Sequence, residues 1–215
     1  MRLVAVFFFI FQGYTITLAQ ENCTLKKNDE GVKVYLCENE QSSFKTIIVE
    51  LEVPATLSQY AAQVLDIANY PNWQDRVEQQ RILEQISDTE LYYYAQVSAP
   101  WPASYRDYIF HLNMEQDSLT KVINMTLKEV ADYLPENDGI IRVPFAESLL
   151  TITPLSPTSV SVRYELDIDP GGELPPWLVN LFSANTPWNT YINFRKLIND
   201  QGEQRREVDF IQNFR

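Results

Sequence analysis

The chain has 215 residues, of which 45% are apolar, and 29 acidic residues against 17 Lys and Arg give a formal net charge of −12. This length supplies one domain with a sizeable core and leaves little for a second. The basic residues are scattered, which argues against a nucleic-acid partner, and the acidic surface argues against docking on anionic membranes by charge alone.

Residues 1–19 have the pattern of a secretory signal peptide. Arg2 is followed by an apolar run over residues 3–11, and Ala19 precedes a polar switch at Gln20. The run is too short to cross a bilayer of about 30 Å, and no later segment has the roughly 20 apolar residues that a spanning helix needs. We therefore expect a soluble, exported protein, periplasmic or extracellular, with a domain over residues 20–199 and a polar tail over 200–215.

Cys23 and Cys37 are the only cysteines, and they flank a predicted β-hairpin whose turn-prone residues 28–31 read Asn-Asp-Glu-Gly. The two cysteines are equally distant from Glu30, and cross-strand partners in a hairpin come within disulfide range. In an oxidising compartment this placement predicts a disulfide, with two buried free thiols as the alternative. A metal site would need further ligands, and His111 is the only histidine. We expect neither a metal nor a cofactor.

Alternation of apolar and polar residues with period two predicts half-buried antiparallel strands. The pattern is clearest over residues 47–53 and 160–168. Weaker versions rich in Tyr, Ile, Val and Phe cover residues 91–97, 107–114, 121–127 and 140–153.

Helical periodicity is confined to two segments. The first covers residues 57–69 and ends before Pro71. The second begins at the prolines 175 and 176 and runs to about residue 199, with a kink expected at Pro187. Strands grouped between two helices predict an α+β fold, without the βαβ alternation of a parallel sheet. The tail over residues 200–215 either folds back or frays.

Residues 99–108 read Ala-Pro-Trp-Pro-Ala-Ser-Tyr-Arg-Asp-Tyr, which is similar to the Pro-Trp-Pro turn and following Arg-Asp of the START family of lipid-transfer domains. Four further segments resemble that family in the same order: residues 31–35, 65–73, 134–142 and 169–180. The resemblance implies a helix-grip fold, in which a curved antiparallel β-sheet wraps a long C-terminal α-helix and leaves an internal hydrophobic tunnel.

The resemblance also implies a set of ligand-binding residues. In sterol-binding members an acidic residue and an arginine form a charge pair in the tunnel, and the matching positions here are Tyr93 and Leu112, which leaves Tyr93 as a contact for a ligand hydroxyl. Period two from these positions assigns their neighbours to the same face, although each could equally be plain core. The predicted set is Leu91, Tyr93, Ala95, Tyr108, Phe110, Leu112, Met114, Ile123, Met125, Leu127, Phe145, Leu166, Trp177, Leu181 and Trp188.

Other residues of the resemblance are predicted to have structural or gating roles. Pro100, Trp101 and Pro102, with Arg106 and Asp107, form the predicted structural turn, where the Arg-Asp pair is an ion pair or hydrogen-bonding clamp or, alternatively, a ligand contact. Residues 134–145 are predicted to be a lid over the tunnel. His111 alternates onto the face away from the tunnel.

These features predict an exported, monomeric protein that holds one lipid or other hydrophobic molecule for transfer or sensing, with at most transient membrane contact. The alternative is an enzyme of the wider superfamily, of cyclase or hydrolase type, acting on a hydrophobic substrate. A nucleophile with a base, or a carboxylate pair in a cleft, is not evident, and Glu147 beside Ser148 is the best candidate acid. A protein-interaction module is a third possibility. We expect a binder without catalytic residues.

Overall fold

The computed structural model describes residues 22–99 and 103–214, apart from the side chains of residues 181, 182 and 203. The predicted signal peptide, the turn residues Pro100, Trp101 and Pro102, and the side chain of Leu181 lie outside this part of the chain. Within it, no helix is both long enough and apolar enough to cross a bilayer.

A ten-stranded sheet runs through the described part of the chain in the order β1-β2-β3-β10-β9-β7-β6-β5-β4, and β8 pairs in parallel with the start of β6. All other neighbouring strands are antiparallel. The strands are β1 (Cys23–Asp29), β2 (Val32–Cys37), β3 (Thr46–Val53), β4 (Val77–Gln85), β5 (Glu90–Val97), β6 (Arg106–Gln116), β7 (Ile123–Glu129), β8 (Ile141–Arg142), β9 (Phe145–Ser156) and β10 (Ser159–Asp169).

The strand that sequence reasoning missed is β4. Its sequence, VEQQRILEQ, has no period-two alternation, and none of its residues is fully buried. β4 is an edge strand with one neighbour, β5, so neither face needs a continuous apolar stripe. A strand of this kind leaves no periodic signal in the sequence.

The helices differ from the prediction at their ends. Helix α1 (Leu57–Leu65) begins with a capping box between Thr56 and Gln59, and a 3₁₀ helix (Ile67–Asn72) continues it through Pro71. The predicted C-terminal helix is two helices, α2 (Pro176–Phe182) and α3 (Asn185–Gln201). The helix is interrupted by a turn at residues 183 and 184. Pro187 therefore lies in the first turn of α3, where a proline is tolerated, and does not kink a continuous helix.

The core lies between one face of the sheet and the helices α1 and α3. Tyr60 of α1 and Phe194 and Ile198 of α3 are fully buried, and the rings of Tyr60 and Phe194 are 4.9 Å apart. Strand residues with alternating burial complete the core, such as Val160 and Val162 of β10. A sheet that covers a C-terminal helix is the helix-grip arrangement, which confirms the predicted α+β fold.

The N-terminal hairpin confirms the predicted disulfide. Cys23 lies directly opposite Cys37 in the pairing of β1 with β2, and the two form a disulfide bond. The turn uses Glu30 and Gly31, both with positive φ (48° and 73°), which is the conformation of two-residue hairpin turns. Glycine suits the second of these positions because it has no Cβ.

The tail folds back onto the domain. The Ser58 hydroxyl donates to the carbonyl of Val208 (2.7 Å) and accepts from its amide (2.8 Å), and Asn213 accepts from the Ser58 amide (2.9 Å). Ile211 is buried with the core. The first turn of α1 is thereby held by the last residues of the described chain.

Candidate ligand cavity

A cavity of about 190 Å³ lies between the inner face of the sheet and the helical layer. Its sheet side comes from β5, β6, β7, β9, β10 and the start of β4, and its other side from α1, the 3₁₀ helix, the loop that follows it and the first turns of α3. The lining residues are Tyr60, Val64, Tyr70, Trp73, Gln74, Asp75, Val77, Tyr93, Ala95, Val97, Tyr108, Phe110, Met125, Leu127, Leu150, Tyr164, Leu166, Ile168, Thr186, Pro187, Thr190 and Tyr191.

The sheet side follows from strand alternation, because residues i and i+2 share a face. Tyr93 pairs with Phe110 across β5 and β6, and their rings are 5.6 Å apart. Tyr108 lies two residues before Phe110, and those rings stack at 5.3 Å. Of the predicted ligand-binding residues, seven line the cavity: Tyr93, Ala95, Tyr108, Phe110, Met125, Leu127 and Leu166.

Four other predicted residues share this face without reaching the cavity. Leu91, Leu112, Met114 and Ile123 are buried in the solid core. Leu112 pairs with Leu91 on one side and Leu127 on the other, so apolar side chains flank it. These four residues therefore have the surroundings of ordinary core residues, the alternative to cavity lining.

Three predicted residues of the later elements do not line the cavity. Phe145 is 49% exposed because, along β9, the inward positions are those of Ala146, Ser148 and Leu150. Trp177 in α2 is 68% exposed. Trp188 packs at the edge of the core, with the Lys27 ammonium 4.2 Å from the ring centroid. The prediction placed both tryptophans on one face of a continuous helix. Because α2 and α3 are separate helices, Trp177 and Trp188 do not share such a face.

The helical side of the cavity was missed by sequence reasoning. Tyr60 and Val64 stood out as the apolar face of α1, but helical periodicity does not separate core from cavity. Tyr70 and Trp73 lie just after α1, with ring centroids 4.9 Å apart, and Tyr70 also meets Tyr93 edge-on at 6.0 Å. The high density of Tyr in residues 60–108 was the available signal.

Besides Gln74, Asp75, Thr186 and Thr190, six tyrosines contribute polar groups to the cavity: Tyr60, Tyr70, Tyr93, Tyr108, Tyr164 and Tyr191. Burial raises the pKa of each hydroxyl above its ordinary value, to about 12 for Tyr164. All six are therefore neutral at physiological pH. Tyr70 donates to the Val64 carbonyl at 2.5 Å, whereas the Tyr60 hydroxyl has no partner among the described residues.

Three hydrogen bonds tie the loop after the 3₁₀ helix to α3. The Asp75 amide donates to the Thr190 hydroxyl (3.0 Å), Asn189 donates to the Asp75 carboxylate (3.0 Å), and Asn193 donates to the Trp73 carbonyl (3.3 Å). These bonds hold the two walls of the cavity together at the end lined by Asp75, Thr186 and Thr190.

The opposite face of β6 carries a buried ion pair. Asp107 is fully buried and accepts from Arg142 at 2.7 and 3.2 Å and from Asn137 at 2.9 Å. Burial alone would raise the pKa of Asp107, but the hydrogen bonds from Arg142 and Asn137 outweigh it and hold the pKa below its usual range. The clamp predicted around Asp107 exists, but its cation is Arg142; Arg106 instead donates to the carbonyls of Ser104 and Pro170.

Two residues of the predicted lid, Asn137 and Arg142, contact the outer face of β5 and β6. Asn137 contacts Asp107 and the Tyr94 hydroxyl, both outward-facing residues of β6 and β5. Just before this segment, Tyr133 stacks on Tyr92, which in turn stacks on His111. Arg142 further binds the carbonyls of Leu134 and Pro135. Ile141 instead pairs with the inward-facing Arg106 and lies against Gly171 and Gly172. The role of residues 134–145 as a lid stays a prediction.

Glu129 sits at the seam where β6 changes neighbour from β7 to β8. The Ile109 amide, which has no strand partner there, donates to both carboxylate oxygens of Glu129, at 3.1 and 3.2 Å. Burial raises the pKa of this carboxyl to about 7, while the Ile109 amide and Arg142 pull it downward.

Glu147 and Ser148, the best candidates for the enzyme alternative, do not come together in the structure. Glu147 is exposed and pairs with Lys128 at 2.8 Å, whereas Ser148 faces inward and is buried. Adjacent strand residues point to opposite faces, so the two side chains diverge. Within residues 22–99 and 103–214, no cluster of three or more His, Cys, Asp or Glu side chains could hold a metal ion.

Comparison with known proteins confirms the resemblance seen in the sequence. The START domain profile matches residues 20–204. An uncharacterized protein of Pseudomonas aeruginosa is 30% identical over 81% of this chain and 86% of its own length. The bovine phosphatidylcholine transfer protein is 26% identical over 73% of this chain and 74% of its own length.

Solved structures show the same fold. A STAR-related lipid transfer protein fragment from Xanthomonas axonopodis superimposes with a TM-score of 0.77 at 31% identity, covering 83% of this chain and 99% of that one. Human StAR-related lipid transfer protein 5 superimposes with a TM-score of 0.72 at 20% identity, covering 85% and 88% of the two chains. The second likeness is one of fold alone.

Proposed function

The chain belongs to the START domain family, and on this premise we propose that it binds one hydrophobic molecule in the cavity between sheet and helices, for transfer or sensing. The observation that supports this most is the cavity wall, where aromatic and aliphatic side chains from six strands and three helices meet around an internal space. Burial of apolar surface stabilises a bound lipid by roughly 25 cal/mol per Å².

The cavity volume indicates that the wall moves apart when a whole lipid enters. Small-molecule sites have volumes of roughly 300–1,000 Å³, and this cavity has about 190 Å³. Three hydrogen bonds join the loop of Trp73 and Asp75 to α3. If they break, the two walls can separate at that end of the cavity. The names of the relatives support a lipid as the ligand, since they include proteins that transfer lipids.

Export is part of the proposal and is supported by two independent features. Residues 1–19 have the order of a signal peptide, and a disulfide joins Cys23 to Cys37, as is usual in oxidising compartments. N-terminal sequencing of the protein recovered from its native source tests this point. A mature chain that begins near Gln20 is expected, and an N-terminus at Met1 would contradict export.

Mass spectrometry of organic extracts tests whether the protein carries a lipid. We expect one co-purifying hydrophobic species at a ratio near one per chain. Ala95→Phe places a ring inside the cavity, because Ala95 is buried and lines it, and should abolish that species. Gln96→Phe adds the same ring on the opposite face of β5 and serves as the matched control. Equal loading of parent and Ala95→Phe would show that the cavity is not the binding site.

A further inference from the structure

Two fully buried hydrogen-bond donors in the cavity wall lack an acceptor among the described residues. They are the hydroxyl of Tyr60, whose side chain is 0% exposed, and the indole N–H of Trp73, which is 5% exposed. Both residues line the cavity, and both rings pack against Phe194 with centroids 4.9 Å away. Buried donors are nearly always paired in folded proteins, so this wall is suited to a ligand acceptor.

None of the described lining residues carries a positive charge, and Arg106, a buried inward-facing residue of β6, donates to the carbonyls of Ser104 and Pro170. Among the described lining residues, Asp75 is the one with a charged side chain, and it is a carboxylate already bonded to Asn189. Glu129, at the end of β7 beside this face, is also acidic. The six tyrosines stay neutral because burial raises their pKa values. The described lining residues therefore combine neutral donors with no positive charge of their own.

We infer that the ligand is an uncharged lipid with an acceptor oxygen, such as a long-chain alcohol, ketone or ester, whose oxygen is bound by Tyr60 and Trp73. This inference rests on the proposed function, because it needs a hydrophobic molecule in the cavity. It adds the chemical class of the ligand and names two donors on the helical side of the wall, away from the strand positions of Tyr93 and Leu112.

Charged head groups fit this wall less well than a neutral oxygen. A carboxylate or phosphate buried here would have no cation to pair with among the described lining residues, and burying an unpaired charge is costly. A quaternary ammonium would be attracted to the aromatic rings but would leave the donors of Tyr60 and Trp73 unpaired. A hydroxyl, carbonyl or ester oxygen satisfies the donors and carries no charge.

A matched ligand series tests the inference. Dodecanol, dodecane, dodecanoate and dodecyltrimethylammonium share one hydrocarbon chain and differ in head group, and each is titrated at neutral pH against protein loaded with the neutral dye Nile red. Dodecanol is expected to displace the dye at the lowest concentration. The protein used is the mature chain with its disulfide intact.

Variants that remove one donor each connect the preference to Tyr60 and Trp73. Tyr60→Phe removes one hydroxyl and keeps the ring, so the ratio of dodecanol to dodecane affinity should fall about three- to tenfold, the range of one net hydrogen bond. Trp73→Phe should lower the same ratio, and use of the ratio cancels any change in cavity shape. Tyr92→Phe, on the outer face of β5, is the matched control and should leave the ratio unchanged.

The outcomes separate this inference from the proposed function. Displacement by all four compounds, with dodecanoate or dodecyltrimethylammonium strongest, would overturn the neutral ligand and leave lipid binding in place. An unchanged dodecanol-to-dodecane ratio in both Tyr60→Phe and Trp73→Phe would overturn the roles of the two donors. No dye binding and no displacement by any compound would overturn the proposed function and this inference together.

Discussion

The two faces of strand β6 bury polar groups in opposite ways. On the inner face, Tyr108 and Phe110 line the cavity, and burial keeps the Tyr108 hydroxyl neutral by raising its pKa. On the outer face, Asp107 is fully buried but is paired with Arg142 and bonded to Asn137. The comparison shows that one strand meets the cost of burial by neutrality on one side and by complete pairing on the other.

The largest expected effect comes from placing a lone charge on the neutral face. Leu112 is 0% exposed between apolar neighbours, so Leu112→Arg should lower the free energy of unfolding by more than about 4 kcal/mol or prevent folding. Leu112→Ala, which adds no charge, should cost about 2 to 5 kcal/mol, or less if the cavity extends into the space. Urea denaturation measures both, and an unchanged midpoint in Leu112→Arg would mean that the side chain points outward.

The second effect comes from removing the anion of the paired face. Asp107→Asn leaves Arg142 buried without its carboxylate, so stability should fall by about 3–5 kcal/mol. The half-exposed pair of Glu90 with His111 on the same outer face is the control, and Glu90→Gln should change stability by less than about 1 kcal/mol. Equal effects of Asp107→Asn and Glu90→Gln would contradict the clamp.

Glu129 is a partly buried carboxyl that is neither permanently neutral nor paired as Asp107 is, and it should make stability depend on pH. Its pKa in the folded protein is raised to about 7, so between pH 4.5 and 7 the native state keeps a proton that the unfolded chain has lost. Stability therefore falls as pH rises through this window, and the loss is complete above it. Glu129→Gln removes this contribution. The stability difference between variant and parent should grow across the window by on the order of 1 kcal/mol, since partial exposure screens the effect.

Chemical denaturation at several pH values gives that difference directly. Subtracting the parent cancels the other carboxylates, including Asp107, whose lowered pKa acts in the opposite direction at acid pH. A difference that stays constant from pH 4.5 to 8 would show that Glu129 titrates normally.

The smallest effect concerns the unpaired hydroxyl of the neutral face. Tyr60→Phe removes a buried hydroxyl that has no partner among the described residues, so the ligand-free protein should become more stable by about 1 kcal/mol. Tyr70→Phe removes the bonded hydroxyl of a neighbouring lining residue and should instead destabilise by about 1 kcal/mol. Thermal unfolding of the two variants should shift in opposite directions, and shifts of the same sign would contradict this assignment.

Sequence reasoning worked where burial leaves a periodic pattern. The family resemblance placed Tyr93 inward, and the alternation of β5 and β6 then assigned Tyr108 and Phe110 to the same face; all three line one cavity. It failed at the edge strand β4, whose exposed residues carry no period. It also failed at Trp177, since the proline pattern of residues 175–187 does not reveal a break at residues 183 and 184.

The residues themselves determined the strand faces, the hairpin with its Cys23–Cys37 disulfide and the family, because each of these depends on short spacings or on a local motif. Only the tertiary structure decided which inward residues surround space and which fill the core. Leu112 and Phe110 have the same local pattern, yet one packs among leucines and the other faces the cavity. The partner of Asp107 is likewise decided by the tertiary structure: it is Arg142, which lies 35 residues after Asp107 in the chain. Such choices depend on which distant elements meet, and no local pattern encodes that.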